Sequence, residues 1–87
     1  MLFRSPDDDM YGALISVYGK GGQWQKAEEA FMQMQAAGVT PSVSTYGALI
    51  SAFRKGGQWL KAEEAFEQMQ AAGVTPNVYT YGALISA

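Results

Sequence analysis

The hexapeptide Tyr-Gly-Ala-Leu-Ile-Ser stands at residues 11–16 and returns at residues 46–51 and 81–86. Each copy therefore begins 35 residues after the one before it. A fixed period of this length is typical of solenoids, in which each unit stacks on its neighbours to bury an apolar face. The repeat predicts a stacked array, and it predicts that any binding site is spread along the stacked surface.

The repeat extends over nearly the whole chain. Residues 8–42 and 43–77 are identical at 26 of 35 positions, and residues 78–87 match residues 43–52 at nine of ten. We therefore divide the chain into a lead (1–7), a first repeat (8–42), a second repeat (43–77) and the first helix of an incomplete third repeat (78–87). A chain of 87 residues forms one domain at most.

Composition excludes several kinds of chemistry. The chain has no Cys and no His, which removes disulfides, typical zinc sites and imidazole catalysis. No nucleophile stands near a plausible base, so we expect no enzymatic activity and no cofactor. The acidic run at residues 7–9 lacks the spacing of a calcium loop and is interpreted as a solvated helix cap, so no metal is predicted.

Charge and hydropathy also limit the possible partners and locations. Six basic and eight acidic residues give a net charge of -2, which is not the strongly basic balance of many polyanion-binding proteins. The apolar runs are too short to cross a bilayer, so no membrane insertion is expected. The first ten residues contain one Arg and three Asp, a pattern unlike a secretory signal or an organelle transit peptide.

The first half of each repeat has the spacing of an amphipathic helix. Apolar residues recur at i, i+3, i+4 and i+7, which places them on one face. They are Tyr11, Leu14, Ile15 and Tyr18 in the first repeat, and Tyr46, Leu49, Ile50 and Phe53 in the second. For the N-caps of these helices we predict Asp8 or Asp9, then Ser44 or Thr45, and then the Tyr79-Thr80 pair.

A glycine pair follows each first helix and predicts its end, at residues 21–22 and 56–57. A second amphipathic pattern comes next, with Trp, Ala, Phe and Met expected in the core. These residues are Trp24, Ala27, Phe31 and Met34, repeated as Trp59, Ala62, Phe66 and Met69. Gly38 and Gly73 end the second helices, and Pro41 and Pro76 prevent their resumption.

The predicted fold is all-α, with antiparallel helix hairpins stacked as an α-solenoid in a right-handed superhelix of about two and a half repeats. Leu14 and Ile15 are expected to meet their own second helix, while Tyr11, Tyr18 and Trp24 reach the next unit. In the incomplete third repeat, Tyr81, Leu84 and Ile85 are expected to need cover from a partner or a further repeat.

The repeat resembles the pentatricopeptide repeat family over residues 6–87. The resemblance is carried by the Thr-Tyr start at residues 45–46, the Lys-Gly-Gly turn at 55–57, the Lys-Ala-Glu-Glu-Ala-Phe-Glu-Gln-Met run at 61–69 and the Gly-x-x-Pro close at 73–76. The 34-residue tetratricopeptide repeat has a different opening, Trp-x-x-Leu-Gly-x-x-Tyr, which is absent here. The resemblance implies modular binding of single-stranded RNA in mitochondria or chloroplasts, with one repeat for each base.

The resemblance also implies which residues face the RNA bases. In the family these are the fifth and the last residue of a repeat, here Gly12, Gly47 and Gly82, and Ser42 and Asn77. Glycine departs from the family pattern, because it has no group to hydrogen-bond a base edge. The alternative for the three glycines is that small residues permit close contact between helices.

Further family positions flank the base or approach phosphate. The flanking positions are Asp9, Ser44 and Tyr79, of which Tyr79 offers a ring for stacking and Asp9 would repel phosphate. Lys20 and Lys55 match a family lysine near phosphate, although a lysine at a helix C-terminus also complements the helix dipole. A second hypothesis, from another class of function, is a small helical-repeat scaffold that binds protein and not RNA.

Overall fold

The computed structural model describes the backbone of residues 7–85, and the side chains of this stretch except those of residues 7–9, 79 and 83–85. All the secondary structure in this stretch is helical. The helices are α1 (Asp7–Lys20), α2 (Trp24–Ala36), α3 (Val43–Lys55), α4 (Trp59–Ala71) and α5 (Val78–Ile85). None of them has the length and hydropathy of a membrane span.

The helices form antiparallel hairpins that stack into an α-solenoid, as the sequence predicts. Helices α1 and α2 form one hairpin, α3 and α4 form the next, and α5 stands as the first helix of a third unit. Helix α3 lies at the centre, because it contacts α1, α2, α4 and α5. The core follows this arrangement, since six apolar residues of α3 are buried, and they are Tyr46, Ala48, Leu49, Ile50, Ala52 and Phe53.

The glycine pairs end the first helices as predicted. The second glycine of each pair adopts the left-handed conformation, with φ of 74° at Gly22 and 76° at Gly57. The amide of Gln23 donates to the carbonyl oxygen of Tyr18 at 2.9 Å, which closes the turn over the last carbonyls of α1. The chain can then reverse within three residues and place α2 against α1.

The joint between the two complete repeats is built around Trp24. Its ring lies 6.1 Å from that of Phe53, and the Lys61 ammonium lies 5.6 Å from its centroid. A Cβ atom at Gly56 would overlap the Trp24 indole, so only glycine admits the ring there. The prediction that Trp24 reaches the next unit is confirmed.

A second aromatic contact and an ion pair complete this joint. Phe31 meets Tyr46 edge to face at 5.3 Å, and burial raises the pKa of the Tyr46 phenol above its ordinary value. Lys61 Nζ donates to Glu28 Oε2 at 3.2 Å, which links α2 and α4 through their side chains. Each contact joins a residue of one repeat to a residue of the next.

One expectation for the core is wrong. Trp59 was expected to be buried like Trp24, yet it is 54% exposed, because no following Phe and Gly pair packs over it in the described structure. Leu14 is 37% exposed, whereas its counterpart Leu49 is buried between α2 and α4, so the contact of Leu14 with its own second helix stays a prediction. Ile15 is fully buried, as expected.

Candidate nucleic-acid interface

The first helices of the repeats form a continuous row, which we call the inner row (α1, α3 and α5). Helix α1 packs on α3, and α3 packs on α5. The second helices form the outer row (α2 and α4), and within the described residues their backbones do not contact each other. The inner row is therefore the more closely packed of the two rows.

A cleft of about 160 Å³ lies between α1 and α3 on the inner row. The lining residues are Ser16, Gly19, Lys20, Ala48, Ser51 and Lys55. The structure therefore brings together Lys20 and Lys55, the two lysines predicted to approach phosphate. Both side chains are exposed, so a ligand can reach their ammonium groups from solvent.

The shape of this cleft depends on a small residue in α1. A Cβ atom at Gly19 would lie 3.1 Å from the Cβ of Ala52, so glycine lets the last turn of α1 approach α3 closely. The close approach of the helices sets Lys20 beside Lys55 across the cleft. In the second repeat the position of Gly19 is taken by Arg54.

Two serines in the cleft were missed by sequence reasoning. Ser16 and Ser51 line it beside the lysines, and each offers a hydroxyl that can donate a hydrogen bond. A signal was present, since each serine precedes its lysine by four residues, which places the pair on one helix face. The repeated Ser-x-x-x-Lys spacing therefore predicts a polar stripe.

The charges of the described helices are divided between the two rows. From residue 10 onward the inner-row helices contain Lys20, Arg54 and Lys55 and no acidic residue. Every glutamate of the chain lies on the outer row, and these are Glu28, Glu29, Glu63, Glu64 and Glu67. The net charge of -2 thus conceals an inner surface that is basic along its described part.

The last residue of each repeat caps the following first helix. Ser42 precedes α3, and its Oγ accepts a bond from the Thr45 amide at 3.4 Å. Asn77 precedes α5, and its Oδ1 accepts from the Thr80 amide at 3.0 Å, while Thr80 Oγ1 accepts from the Asn77 amide at 2.9 Å. This reciprocal pair is a capping box.

The predicted N-caps at Ser44, Thr45 and the Tyr79-Thr80 pair are therefore wrong for α3 and α5. These helices begin one residue after Ser42 and Asn77, so the threonines stand in the first turn and face back toward the caps. The predicted cap at Asp8 or Asp9 is also wrong, because α1 already includes Asp7 and both residues stand inside the helix; their side chains lie outside the described residues.

The two base-facing residues predicted for the first repeat lie close together. A Cβ atom at Gly12 would be 3.8 Å from Thr45 Oγ1, and that oxygen is 3.1 Å from Ser42 Oγ. Gly12 and Ser42 thus stand on either side of one threonine. Asn77 is exposed, and the Nδ2 group of its carboxamide takes no part in the capping bond.

The three glycines differ in their surroundings. Gly47 is buried, whereas Gly12 and Gly82 are half-buried. A Cβ atom at Gly82 would meet nothing within 4 Å, and one at Gly12 would make an ordinary contact. Close helix contact therefore does not require glycine at positions 12 and 82.

Of the remaining predicted site residues, the structure describes the side chains of some and not of others. Ser44 is exposed in the first turn of α3. Tyr81 is 49% exposed, and its ring lies 5.4 Å from that of Phe66, so it packs in part on its own chain. The side chains of Asp9, Tyr79, Leu84 and Ile85 lie outside the described residues, and cover of the last helix by a partner stays a prediction.

Comparison with known proteins agrees with the helical-repeat fold. The PPR repeat family matches this chain at residues 6–55 and 41–87. A search of curated proteins finds no match. Among solved structures, the crystal structure of the pentatricopeptide repeat protein PPR10 from maize is similar over 92% of this chain, with a TM-score of 0.81 and 30% identity.

The structure of PPR10 in complex with an 18-nt psaJ RNA element is also similar. It covers 91% of this chain with a TM-score of 0.81 and 28% identity. The present chain spans only 11% and 12% of the chains in these two structures. The likeness is therefore to a short run of repeats within a longer array.

Proposed function

This chain belongs to the pentatricopeptide repeat family, and from that premise we propose that its inner row binds single-stranded RNA, one repeat to a base. The proposed setting is RNA metabolism in mitochondria or chloroplasts. The chain acts there as a binding module and not as an enzyme. The protein similar to it, PPR10, has been solved in complex with an RNA element, which supports the choice of ligand.

The observation that carries the proposal is the basic and hydroxyl-bearing cleft of the inner row. Lys20 and Lys55 place two ammonium groups beside the hydroxyls of Ser16 and Ser51. Ammonium groups and hydroxyls are the side-chain groups that contact phosphate oxygens in nucleic-acid complexes. The glutamates lie on the outer row, so a polyanion approaching the inner row does not meet them.

Base contacts and phosphate contacts occur at opposite ends of the same helices. Gly12, Ser16 and Lys20 follow one another at intervals of four residues, which keeps them on one face of α1. Eight residues of helix separate Gly12 from Lys20 by about 12 Å. An RNA strand lying across the inner row can therefore meet Ser42 and Thr45 beside Gly12 at one end of α1, and Lys20 at the other end.

The base-reading contribution of each repeat comes mainly from its last residue. Ser42 offers one hydroxyl, and Asn77 offers a donor in Nδ2 that the capping bond leaves unused. Gly12, Gly47 and Gly82 add no hydrogen bond of their own. Two base contacts at about 1–3 kcal/mol each, together with the lysine contacts to phosphate and before association costs, give millimolar to micromolar affinity.

The direct test is fluorescence anisotropy with labelled homopolymer RNAs of each base. We expect binding in the micromolar to millimolar range at low salt, weakening as salt rises because phosphate contacts release counterions. An unlabelled competitor RNA checks that the signal is reversible. No change in anisotropy with any homopolymer at millimolar protein would refute the proposal.

A further inference from the structure

The surface of the second repeat around Trp59 and the surface of the first repeat around Tyr18 correspond to the two sides of the joint between the repeats. The joint pairs Trp24, Glu28 and Phe31 of the first repeat with Phe53, Gly56, Lys61 and Tyr46 of the second. Adding 35 to the first set gives Trp59, Glu63 and Phe66. Subtracting 35 from the second set gives Tyr18, Gly21, Lys26 and Tyr11.

We propose that a second copy of this chain docks head to tail, with its α1–α2 hairpin replacing α5 on α3 and α4. We call the surface of α3 and α4 that α5 contacts the seat. The association repeats a joint that already exists within the chain. It is heterologous, so each added copy exposes the same seat again and the assembly is open-ended. The proposal does not depend on RNA binding.

Helix α5 shows that this seat accepts a first helix. Tyr81 of α5 meets Phe66 at 5.4 Å, as Tyr46 of α3 meets Phe31 at 5.3 Å. Helix α1 contains the same Tyr-Gly-Ala-Leu-Ile run as α5, so it offers the same residue types at this position. The two helices therefore compete for one position.

The incoming hairpin adds contacts that α5 does not make. In the internal joint Trp24 is covered by Phe53, Gly56 and Lys61, all of which follow the block that α5 shares with α3. Its counterpart Trp59 is 54% exposed. A second copy brings Tyr18, Gly21 and Lys26 to this ring, and it brings Lys26 to Glu63 as Lys61 is brought to Glu28.

One pair of the new joint fits less well than its internal template. Gly19 lies close to Ala52 in the internal joint, and the corresponding pair is Arg54 with Val17 of the second copy. Arg54 now lies over the Trp59 ring, with its guanidinium carbon 4.9 Å from the centroid. It must leave this position for the hairpin to dock, so Arg54 opposes association.

Tethering also favours α5 over the second copy. A helix attached by a short linker has an effective concentration of the order of millimolar, so the incoming hairpin competes only at high protein concentration. The 87-residue chain of 9.4 kDa should therefore be a monomer when dilute. Its mean mass should rise between about 10 µM and about 1 mM.

The test is sedimentation velocity on the full chain and four variants over this concentration range. Trp59→Ala should weaken association by at least about 30-fold, because it removes the central aromatic contact. Leu60→Ala is the matched control, since Leu60 is 76% exposed and its counterpart Gln25 takes no part in the internal joint; it should associate like the parent chain. A parent chain that stays monomeric at about 1 mM would overturn the proposal.

Orientation is tested by charge reversal at two exposed positions. Lys26→Glu and Glu63→Lys each place like charges across the new joint, so each variant alone should associate less than the parent chain. Mixing the two variants restores opposite charges across the joint and should restore association. If the mixture associates no better than the separate variants, the head-to-tail arrangement is wrong.

Discussion

A single missing Cβ atom decides how the two repeats meet. Gly21 and Gly56 occupy the same place in successive repeats and have the same neighbours in sequence. Only Gly56 lies against a ring, that of Trp24, whereas a Cβ at Gly21 would come no closer than 3.7 Å to another atom. The two glycines therefore differ in what they permit, although a sequence comparison treats them alike.

Gly56→Ala should destabilise the fold by about 1–3 kcal/mol, because the added methyl group displaces the Trp24 indole from the joint. Gly21→Ala is the matched control and should leave stability unchanged or raise it by up to about 1 kcal/mol, since alanine restricts the unfolded chain. Urea unfolding followed by far-ultraviolet circular dichroism measures both free energies. Equal effects of the two substitutions would contradict the described joint.

The burial of individual residues is where prediction from sequence fails. Trp24 and Trp59 follow identical Gly-Gly-Gln segments, and the amphipathic pattern assigns both to the core. Their burial differs because it depends on contacts with the following repeat. The second repeat covers Trp24, whereas Trp59 is half exposed. No local pattern contains that information.

At the scale of the element, helix ends were easier to predict than helix starts. The glycine pairs and Gly38 and Gly73 mark the ends because each supplies a left-handed residue that few others adopt. The starts were misplaced by two or three residues, since Ser42, Ser44 and Thr45 are all residue types that favour caps. The structure distinguishes them by the hydrogen bond that the Thr45 amide donates to Ser42 Oγ.

Ser42→Ala should lower the stability of the chain by about 0.5–2 kcal/mol, because the Thr45 amide loses its capping acceptor. Ser44→Ala should change it by no more than about 0.5 kcal/mol, since Ser44 is exposed and does not cap α3. Thermal unfolding compares the two variants with the parent chain. If Ser44→Ala lowered the stability more than Ser42→Ala, Ser44 would be the N-cap of α3, as predicted from the sequence, and the observed cap at Ser42 would be contradicted.

These caps connect stability with specificity. Ser42 and Asn77 are the residues expected to face RNA bases, and the same side chains cap α3 and α5. Asparagine and serine both serve as N-caps, so exchange between them can alter base preference while the helix start is preserved. A residue without a capping oxygen at these positions would change binding and stability together.

At the scale of the whole molecule, charge is arranged by row. Sequence composition alone gives a net charge of -2 and argues against a polyanion partner. Folding separates the glutamates of the outer row from the lysines of the inner row, because the two helices of a repeat carry different charges. This division of charge could have been predicted from the sequence once each helix was assigned to a row. The net charge alone does not show it.

We propose that RNA binds to the inner row, and that the overall charge does not decide this binding. Two double variants with the same change in net charge separate these possibilities: Lys20→Gln with Lys55→Gln on the inner row, and Lys26→Gln with Lys61→Gln on the outer row. The second pair also removes the Lys61–Glu28 ion pair, an exposed contact that contributes at most about 1 kcal/mol. Circular dichroism checks that both double variants remain folded.

The deciding measurement is the salt dependence of RNA affinity for these two variants and the parent chain, by fluorescence anisotropy. Loss of two phosphate contacts should reduce the slope of log K against log salt by about 1.4 for the inner-row variant, and weaken its binding at low salt. The outer-row variant should retain the parent slope. Equal losses in the two variants, or an unchanged slope in the inner-row variant, would contradict the account.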